Sequence, residues 1–339
     1  RARVIGHVLP AYELLADGLE ELKTCGTNPY GLCYYPEGAA YYEALIDCTI
    51  GSGRSMTEIR NLIDGQLLSD ARLMADIITR RPELLTHLFR QIESQAPEDI
   101  LAELQEAIQA DFPAVNSASC TVKYVAPSLE SYLSPAFYLT PPLDQMNRHV
   151  IYINQGADYD ELTLFTTLAH EGWPGHLYQT MYEDSLKLDP VRNIFYFGGY
   201  VEGWAAYAER YAYRFTSLDS DSAELLAANS FLLLGLYARA DTGIHYEGWK
   251  PEDLAAYLEA FGITDETALD SIYQAIIQNP ANYLKYYLGA VEILELKKEA
   301  QETFGEHFAI KDFHEFILSI GPAPFSVIRD YLYGWTGTD

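Results

Sequence analysis

Leu168-Ala-His170-Glu171-Gly-Trp-Pro174-Gly175-His176-Leu-Tyr-Gln179 carries the densest chemistry in this chain of 339 residues. It reads H-E-x-x-P-G-H, one step away from H-E-x-x-H. In that motif two histidines four apart present both imidazoles to a zinc ion from one helix face, and the Glu works on the metal-bound water. Here Pro174 stands four residues after His170, and the next histidine is two further on. Six residues turn through about 600° on an ideal helix, which leaves the two rings roughly 120° apart. A straight helix therefore cannot supply both ligands. Pro174 lacks the N–H that would bond to the carbonyl of His170, and its ring disfavours helical geometry at Trp173. Gly175 tolerates backbone angles that other residues resist. A break at Pro174-Gly175 could thus swing His176 back beside His170. The plainer alternative is a Pro-Gly helix end flanked by two ordinary histidines, and spacing alone leaves both open.

A second motif bears on that choice. Gly199-Tyr-Val-Glu202-Gly-Trp-Ala-Ala-Tyr-Ala-Glu209 lies in an alanine-rich, helix-compatible run, with Glu202 coming 26 residues after His176. Glu202, Ala206 and Glu209 follow i, i+4, i+7 spacing, so both carboxylates share a face. Small residues at 205, 206 and 208 would let this helix approach a neighbour closely. Two histidines completed by a carboxylate, with water in the fourth position, form the pattern of catalytic rather than structural zinc. Either glutamate can equally be read as part of a solvated helix face.

Most of the chain reads as helix. Residues 8–23 and 38–49 carry apolar positions at helical spacing. Ser55-x-x-Glu58 is a capping box opening a helix into the low seventies, and 82–92 and 97–110 continue the pattern. Thr121–Val125, Ala136–Leu139 and His149–Asn154 are short β-prone runs separated by Pro, Ser and Asp, which predicts a small sheet. Helix returns at 158–170, 200–215, 222–242, 251–261, 265–278, 281–303 and 323–332. Pro251 suits a first helical position and Gly262 the residue past a C-terminus. The fold class is therefore mainly α with a small β-sheet. The organisation expected is a helical part over 1–115 joined to a part over 116–339, made of the sheet (116–155) and a helical lobe (156–339). The two are expected to form one continuous unit.

Acidic residues outnumber basic ones 49 to 22, for a formal charge of −27. Such a surface repels phosphate backbones and argues against nucleic-acid binding. No apolar run is long enough to cross a membrane. Cys25, Cys33, Cys48 and Cys120 form no C-x-x-C and lie far in sequence from the histidines. Cys25 and Cys33 flank a Gly/Asn/Pro-rich turn and could bridge in an oxidising compartment, or all four could be free thiols.

H-E-x-x-P-G-H followed by E-G-W-A-x-Y-A-E resembles the bacterial domain-of-unknown-function family 885, grouped with the zincin metallopeptidases. Pro141-Pro-Leu-Asp144, Ile151-Tyr-Ile-Asn154, Asp241-Thr-Gly-Ile-His245 with Gly248-Trp249, Leu284-Lys-Tyr286 with Gly289, and Phe313-His314 match the same family in order and spacing. Together they extend over most of the chain. The departure is Leu177, where the family usually has a second consecutive histidine, so His176 is the only ligand candidate there.

The resemblance implies a zincin-like architecture, in which an edge strand borders the cleft before the His-Glu helix. His149–Asn154 would be that strand, with Tyr152 and Asn154 as substrate-binding candidates able to meet an extended peptide. It also suggests the C-terminal part of a longer protein, with a secreted or surface-anchored lipoprotein parent favoured. The function expected is a zinc-dependent, peptidase-like hydrolase of peptide or small amide substrates. His170, His176 and Glu202 would hold Zn2+, and Glu171 would be the general base. Glu209 would accept a hydrogen bond from a ligand imidazole. His245, oriented by Asp241, and Tyr286 would donate to the oxyanion, as a His and a Tyr do in related zincins. The rivals are a non-catalytic binding or surface module on the same scaffold, and a zinc hydrolase of non-peptide amides.

Overall fold

The computed structural model describes residues 1–335 apart from 24, 27, 88–91 and 116–119. Its helices are α1 (Leu9–Leu22), α2 (Gly38–Ile50), α3 (Met56–Arg80), α4 (Pro97–Ala107), α5 (Glu161–Glu171), α6 (His176–Leu186), α7 (Gly198–Ala212), α8 (Ser220–Thr242), α9 (Pro251–Glu259), α10 (Glu266–Gln278), α11 (Asn282–Phe304), α12 (Ile310–Ile320) and α13 (Phe325–Leu332). The strands are β1 (Cys120–Tyr124), β2 (Ala136–Leu139) and β3 (His149–Ile153). The chain is thus mainly helical with one small sheet.

Local chemistry explains several starts. The Ser55 hydroxyl and the Glu58 carboxylate cap α3 reciprocally, and Asp160, Asp219 and Asp265 accept N-cap bonds from the first turns of α5, α8 and α10. Such caps satisfy amides that a helix start leaves unpaired. The helix opened by Ser55 runs to Arg80, beyond the low seventies, because its inward face continues through Leu67, Asp70 and Ile77. Residues 82–87 form a 3-10 turn rather than a full helix, and 88–91 of that expected element lie outside the described residues. Two helices were not anticipated, α6 and α12. The first begins at His176 itself, directly after the Pro-Gly break.

A single buried cluster runs from Tyr42, Ile59 and Leu104 through Phe165 and Trp204 to Leu288 and Phe313, so residues on both sides of position 115 share one core. At its centre α7 crosses α11. Gly289 of α11 lies against the backbone of Gly199 and Gly203 of α7, where a Cβ on Gly289 would overlap the carbonyl of Gly199 and come 2.8 Å from the Cα of Gly203. The close approach is therefore made by glycines, one turn apart on α7, and not only by the alanines at 205, 206 and 208. A buried Glu292 on α11 takes Arg54 at 2.7 Å, Arg329 at 3.0 Å and the Ser52 hydroxyl at 2.5 Å, which ties the loop before α3 and helix α13 to the same hub. By contrast, no residue of α1 is buried. No helix among the described residues is long and apolar enough to cross a membrane.

The sheet order is β1-β3-β2. Strand β3 pairs parallel with β1 (Cys120↔His149 to Tyr124↔Ile153) and antiparallel with β2 (Ala136↔Ile153 to Leu139↔Val150). This corrects the expectation that His149–Asn154 is an edge strand. Being paired on both sides, β3 cannot accept an extended peptide, and β2 is the strand with a free edge beside α5. Tyr152 and Asn154 are likewise corrected as substrate contacts. Asn154 is fully buried, with its amide donating to the carbonyls of Glu130 and Leu133 and its carbonyl accepting from the Gly156 amide. Tyr152 stacks on Phe137, with ring centroids 5.3 Å apart, on the sheet face opposite the buried Ile151 and Ile153.

All four cysteines are free thiols, so Cys25 and Cys33 are not bridged. The Cys33 thiol instead contacts the carbonyl of Ile244 at 3.5 Å.

Candidate metal centre

Helix α5 ends at Glu171, and α6 starts at His176, with a cis Trp173–Pro174 peptide between them. The Gly175 amide donates back to the carbonyl of Ala169 at 2.9 Å, and a Cβ on Gly175 would overlap the carbonyl of His170. Only glycine lets the chain fold back so closely on its own helix. The break is held from outside as well. The indole of Trp204, fully buried on α7, donates to the Pro174 carbonyl at 2.8 Å. That bond links the two sequence motifs physically: E-G-W-A supplies the clamp for the Pro-Gly turn.

The result places His170 and His176 with ring centroids 4.8 Å apart at 83°. One oxygen of Glu202, Oε2, lies 3.2 Å from His176 Nε2 and 3.9 Å from His170 Nε2. Two ligands bound to zinc at 2.0–2.1 Å in a tetrahedron lie about 3.3 Å apart. The spacing and donor types (two imidazole nitrogens and a carboxylate oxygen) fit such an ion with little rearrangement. On the far side of His170, Glu209 Oε2 lies 3.0 Å from Nδ1. A carboxylate there accepts Nδ1–H and leaves Nε2 free to face the cluster.

The electrostatics follow from crowding carboxylates and imidazoles together. Burial alone would raise the Glu202 carboxyl, but His170 and His176 outweigh it and hold it well below the usual carboxylate range. Burial would lower His170, yet Glu202, Glu209 and Glu171 push it up to about 10. The cluster is thus a seat for positive charge, which fits a divalent cation in place of protons.

Glu171 follows His170 directly. Its Oε2 accepts the Tyr138 amide of edge strand β2 at 2.8 Å. Ligand atoms of His170, Glu171 and His176 can all lie within 4.8 Å of one another. Glu171 is therefore close enough to act on a water at the cluster, or to ligate in place of Glu202, and the two roles separate experimentally.

Tyr286 reaches the cluster from α11, its ring centroid 6.1 Å from that of His170. Its hydroxyl is raised by burial and then by the Glu202 carboxylate, so it stays a protonated donor. Two neighbours were not anticipated. The Tyr196 hydroxyl is 3.5 Å from Glu202 Oε1 and is pushed up to about 12 by burial and by Glu202; Lys285 Nζ is 3.9 Å from the same oxygen. Lys285 sat inside the Leu284-Lys-Tyr286 segment, whereas Tyr196 and the Tyr138 amide carried no signal in sequence.

His245 and Asp241 do not join the cluster. His245 is buried, with Nε2 on the Ile276 carbonyl at 3.0 Å and Nδ1 accepting the Leu32 amide at 3.2 Å. Both nitrogens are spent on backbone, so the ring cannot donate to an oxyanion. Asp241 does not orient it either. Its Oδ1 accepts the Tyr42 hydroxyl at 2.5 Å and the Ala281 amide at 3.0 Å, and Oδ2 has no partner among the described residues. Asp241 thereby secures Ala281, whose φ of 62° starts α11.

Burial raises Asp241 to about 7, against the lowering pull of those two bonds. The folded protein therefore keeps a proton that the unfolded chain releases. The associated stability is complete below about pH 4 and is lost as pH rises through about 7, by as much as about 4 kcal/mol. Urea unfolding of the parent and of Asp241→Asn, compared between pH 4 and 8, should show a slope over that window that the variant lacks. Parallel pH profiles would refute the assignment.

These elements define a mainly helical protein with a His/His/Glu cluster at a helix break. The sequence profile of a family described as a bacterial protein of unknown function, DUF885, matches residues 1–332. The chain belongs to that family. No curated protein matches it. Its fold is similar to the crystal structure of a candidate lipoprotein from Colwellia psychrerythraea, with TM-score 0.82 and 24% identity over 98% of this chain. It is also similar to a candidate lipoprotein of unknown function from Shewanella oneidensis, with TM-score 0.73 and 19% identity over 95% of this chain. This chain spans 61% and 63% of those two proteins, respectively.

Proposed function

We propose that this chain is a zincin-like, metal-dependent hydrolase of peptide or related amide bonds. The observation that carries the reading is the convergence of His170, His176 and Glu202 across a helix break that sequence and packing both enforce. These three would hold the ion, and when bound a zinc ion polarises a carbonyl and brings the pKa of a water toward neutrality. Glu171 accepts the proton of the attacking water and returns it to the leaving amine. The Tyr138 amide, an outward-facing donor of edge strand β2, holds that carboxylate in place. Tyr286 donates to the carbonyl oxygen as negative charge builds on it. Glu209 fixes the His170 tautomer. The likeness to two candidate lipoproteins favours a secreted or surface-anchored parent protein.

Metal analysis tests the foundation of this reading. Protein purified without chelator should carry about one zinc per chain, as a three-ligand catalytic site does. His170→Ala and His176→Ala should lose it to a similar degree. Peptide hydrolysis should vanish on chelation and return with zinc. A chain that takes up no metal and cleaves no peptide would instead be a binding module on this scaffold.

A further inference from the structure

We infer that the cavity walled by Arg214 and Lys297, between α7, α8 and α11, is an anion-binding subsite that takes a carboxylate of the substrate. The inference rests on the hydrolase reading for the word substrate, but the binding site stands on its own observations. The cavity measures about 550 Å³. It shares Arg210, Tyr213 and Ala227 with a second cavity of about 400 Å³, which His170, Glu209 and Tyr286 line. The two cavities thus adjoin at these residues, and the second reaches the Glu209 side of His170.

Two cations of the first cavity share one aromatic ring. In this chain some basic side chains pair with carboxylates and others do not. Arg210 does, in a two-pronged pair with Asp70 at 2.5 and 3.1 Å. Arg214 and Lys297 do not: neither has a carboxylate within ion-pair distance among the described residues. Instead both sit on one ring, the Arg214 guanidinium 4.2 Å and Lys297 Nζ 5.9 Å from the centroid of Tyr211. The carboxylates nearby are already committed or peripheral. Asp111 accepts the Tyr211 hydroxyl at 2.6 Å, and Glu224 is exposed on the α8 wall of the same cavity.

Arg214 is exposed and Lys297 half-buried, and like charges brought to one ring repel each other, more strongly where water is displaced. Burial lowers the Lys297 ammonium, and Arg214 and Arg210 lower it further, against the raising pull of Asp111. A ligand carboxylate placed between Arg214 and Lys297 removes that repulsion and gains charge-assisted hydrogen bonds.

The helix rise sets the scale for which carboxylate. Arg214 lies five residues beyond Glu209, roughly 8 Å along the helix axis. An extended peptide covers that in two to three residues. The carboxylate should therefore belong to a group two to four residues from the bond at the metal, as either a chain end or an acidic side chain.

The test is calorimetric titration of the full chain at low salt with three probes. They are N-acetyl-hexaalanine with a free C-terminus, the same peptide as its amide, and the amide with Glu as its fifth residue. At least one charged peptide should bind roughly tenfold or more tightly than the neutral amide, and which one does so identifies the carboxylate's source. The combined change Lys297→Met, Arg214→Gln should abolish that difference and leave the neutral amide's Kd as it was, which also shows that the variant is folded. Equal Kd values for all three probes overturn the proposal, as does a preference that survives the double substitution. None of these readouts requires cleavage. A protein that shows the full pattern but hydrolyses nothing would retain the anion site and refute the hydrolase reading alone.

Discussion

Glu171→Gln should reduce peptide hydrolysis by roughly two to four orders of magnitude, the range a positioned general base contributes, while zinc content stays near that of the parent. The substitution changes charge and basicity but little else. A Gln carbonyl at the same place can still accept the Tyr138 amide that Glu171 Oε2 now holds at 2.8 Å, so the link between α5 and the edge strand should survive. The decisive measurement is the pair of numbers, turnover and metal per chain. Glu171 lies near enough to both histidines to complete a ligand set itself. If the variant loses its metal along with its activity, Glu171 is a ligand and Glu202 an outer carboxylate. If it keeps both metal and activity, the base is elsewhere. Only loss of turnover with metal retained supports the assignment.

What the sequence disclosed about this centre follows the range of the interactions involved. The helix break was legible because Pro174 and Gly175 act on the backbone within one turn, and no tertiary context is needed to see that an uninterrupted helix separates the two rings. Glu202 and Glu209 were legible as a pair because helical periodicity puts them on one face. Glu209 then meets His170 where a carboxylate was expected. His245 was misplaced because a histidine between glycines looks the same in sequence whether its partners are ligands or buried carbonyls. The Ile276 carbonyl and the Leu32 amide come from segments 31 and 213 residues away. The edge strand was misassigned for a related reason. Periodicity identifies strands, but the order β1-β3-β2 is decided by pairing between segments. A missed element such as α12 is different, since apolar residues at 310, 313, 317 and 320 do carry a helical period. Helix α6 is hidden because the Pro-Gly pair before His176 marks the end of one helix without showing that another starts at once.

Gly289→Ala should destabilise the protein by about 1–3 kcal/mol, the usual cost of forcing a methyl group into a filled core. The sign is informative, because helix propensity alone favours Ala over Gly by about 1 kcal/mol. Gly289 lies in the interior of α11, where a change to Ala on an open face would stabilise. Here the added Cβ would overlap the carbonyl of Gly199 and press on the Cα of Gly203, both backbone atoms that no rotamer change can move aside. The helices must separate, and α11 carries Lys285 and Tyr286 one turn earlier, whereas all three ligand candidates stand on α5, α6 and α7. Separation should therefore withdraw the Tyr286 hydroxyl from the cluster and leave the His/His/Glu set nearly intact. Urea midpoints should fall and turnover should drop severalfold or more, with zinc affinity little changed in the folded fraction. Gly289→Val should exaggerate both losses. A Gly289→Ala protein as stable as its parent would mean that the two helices do not approach as closely as the crossing of Gly199, Gly203 and Gly289 requires. Loss of metal in step with stability would show instead that α11 supports the ligand set itself, and that Tyr286 has no separable role.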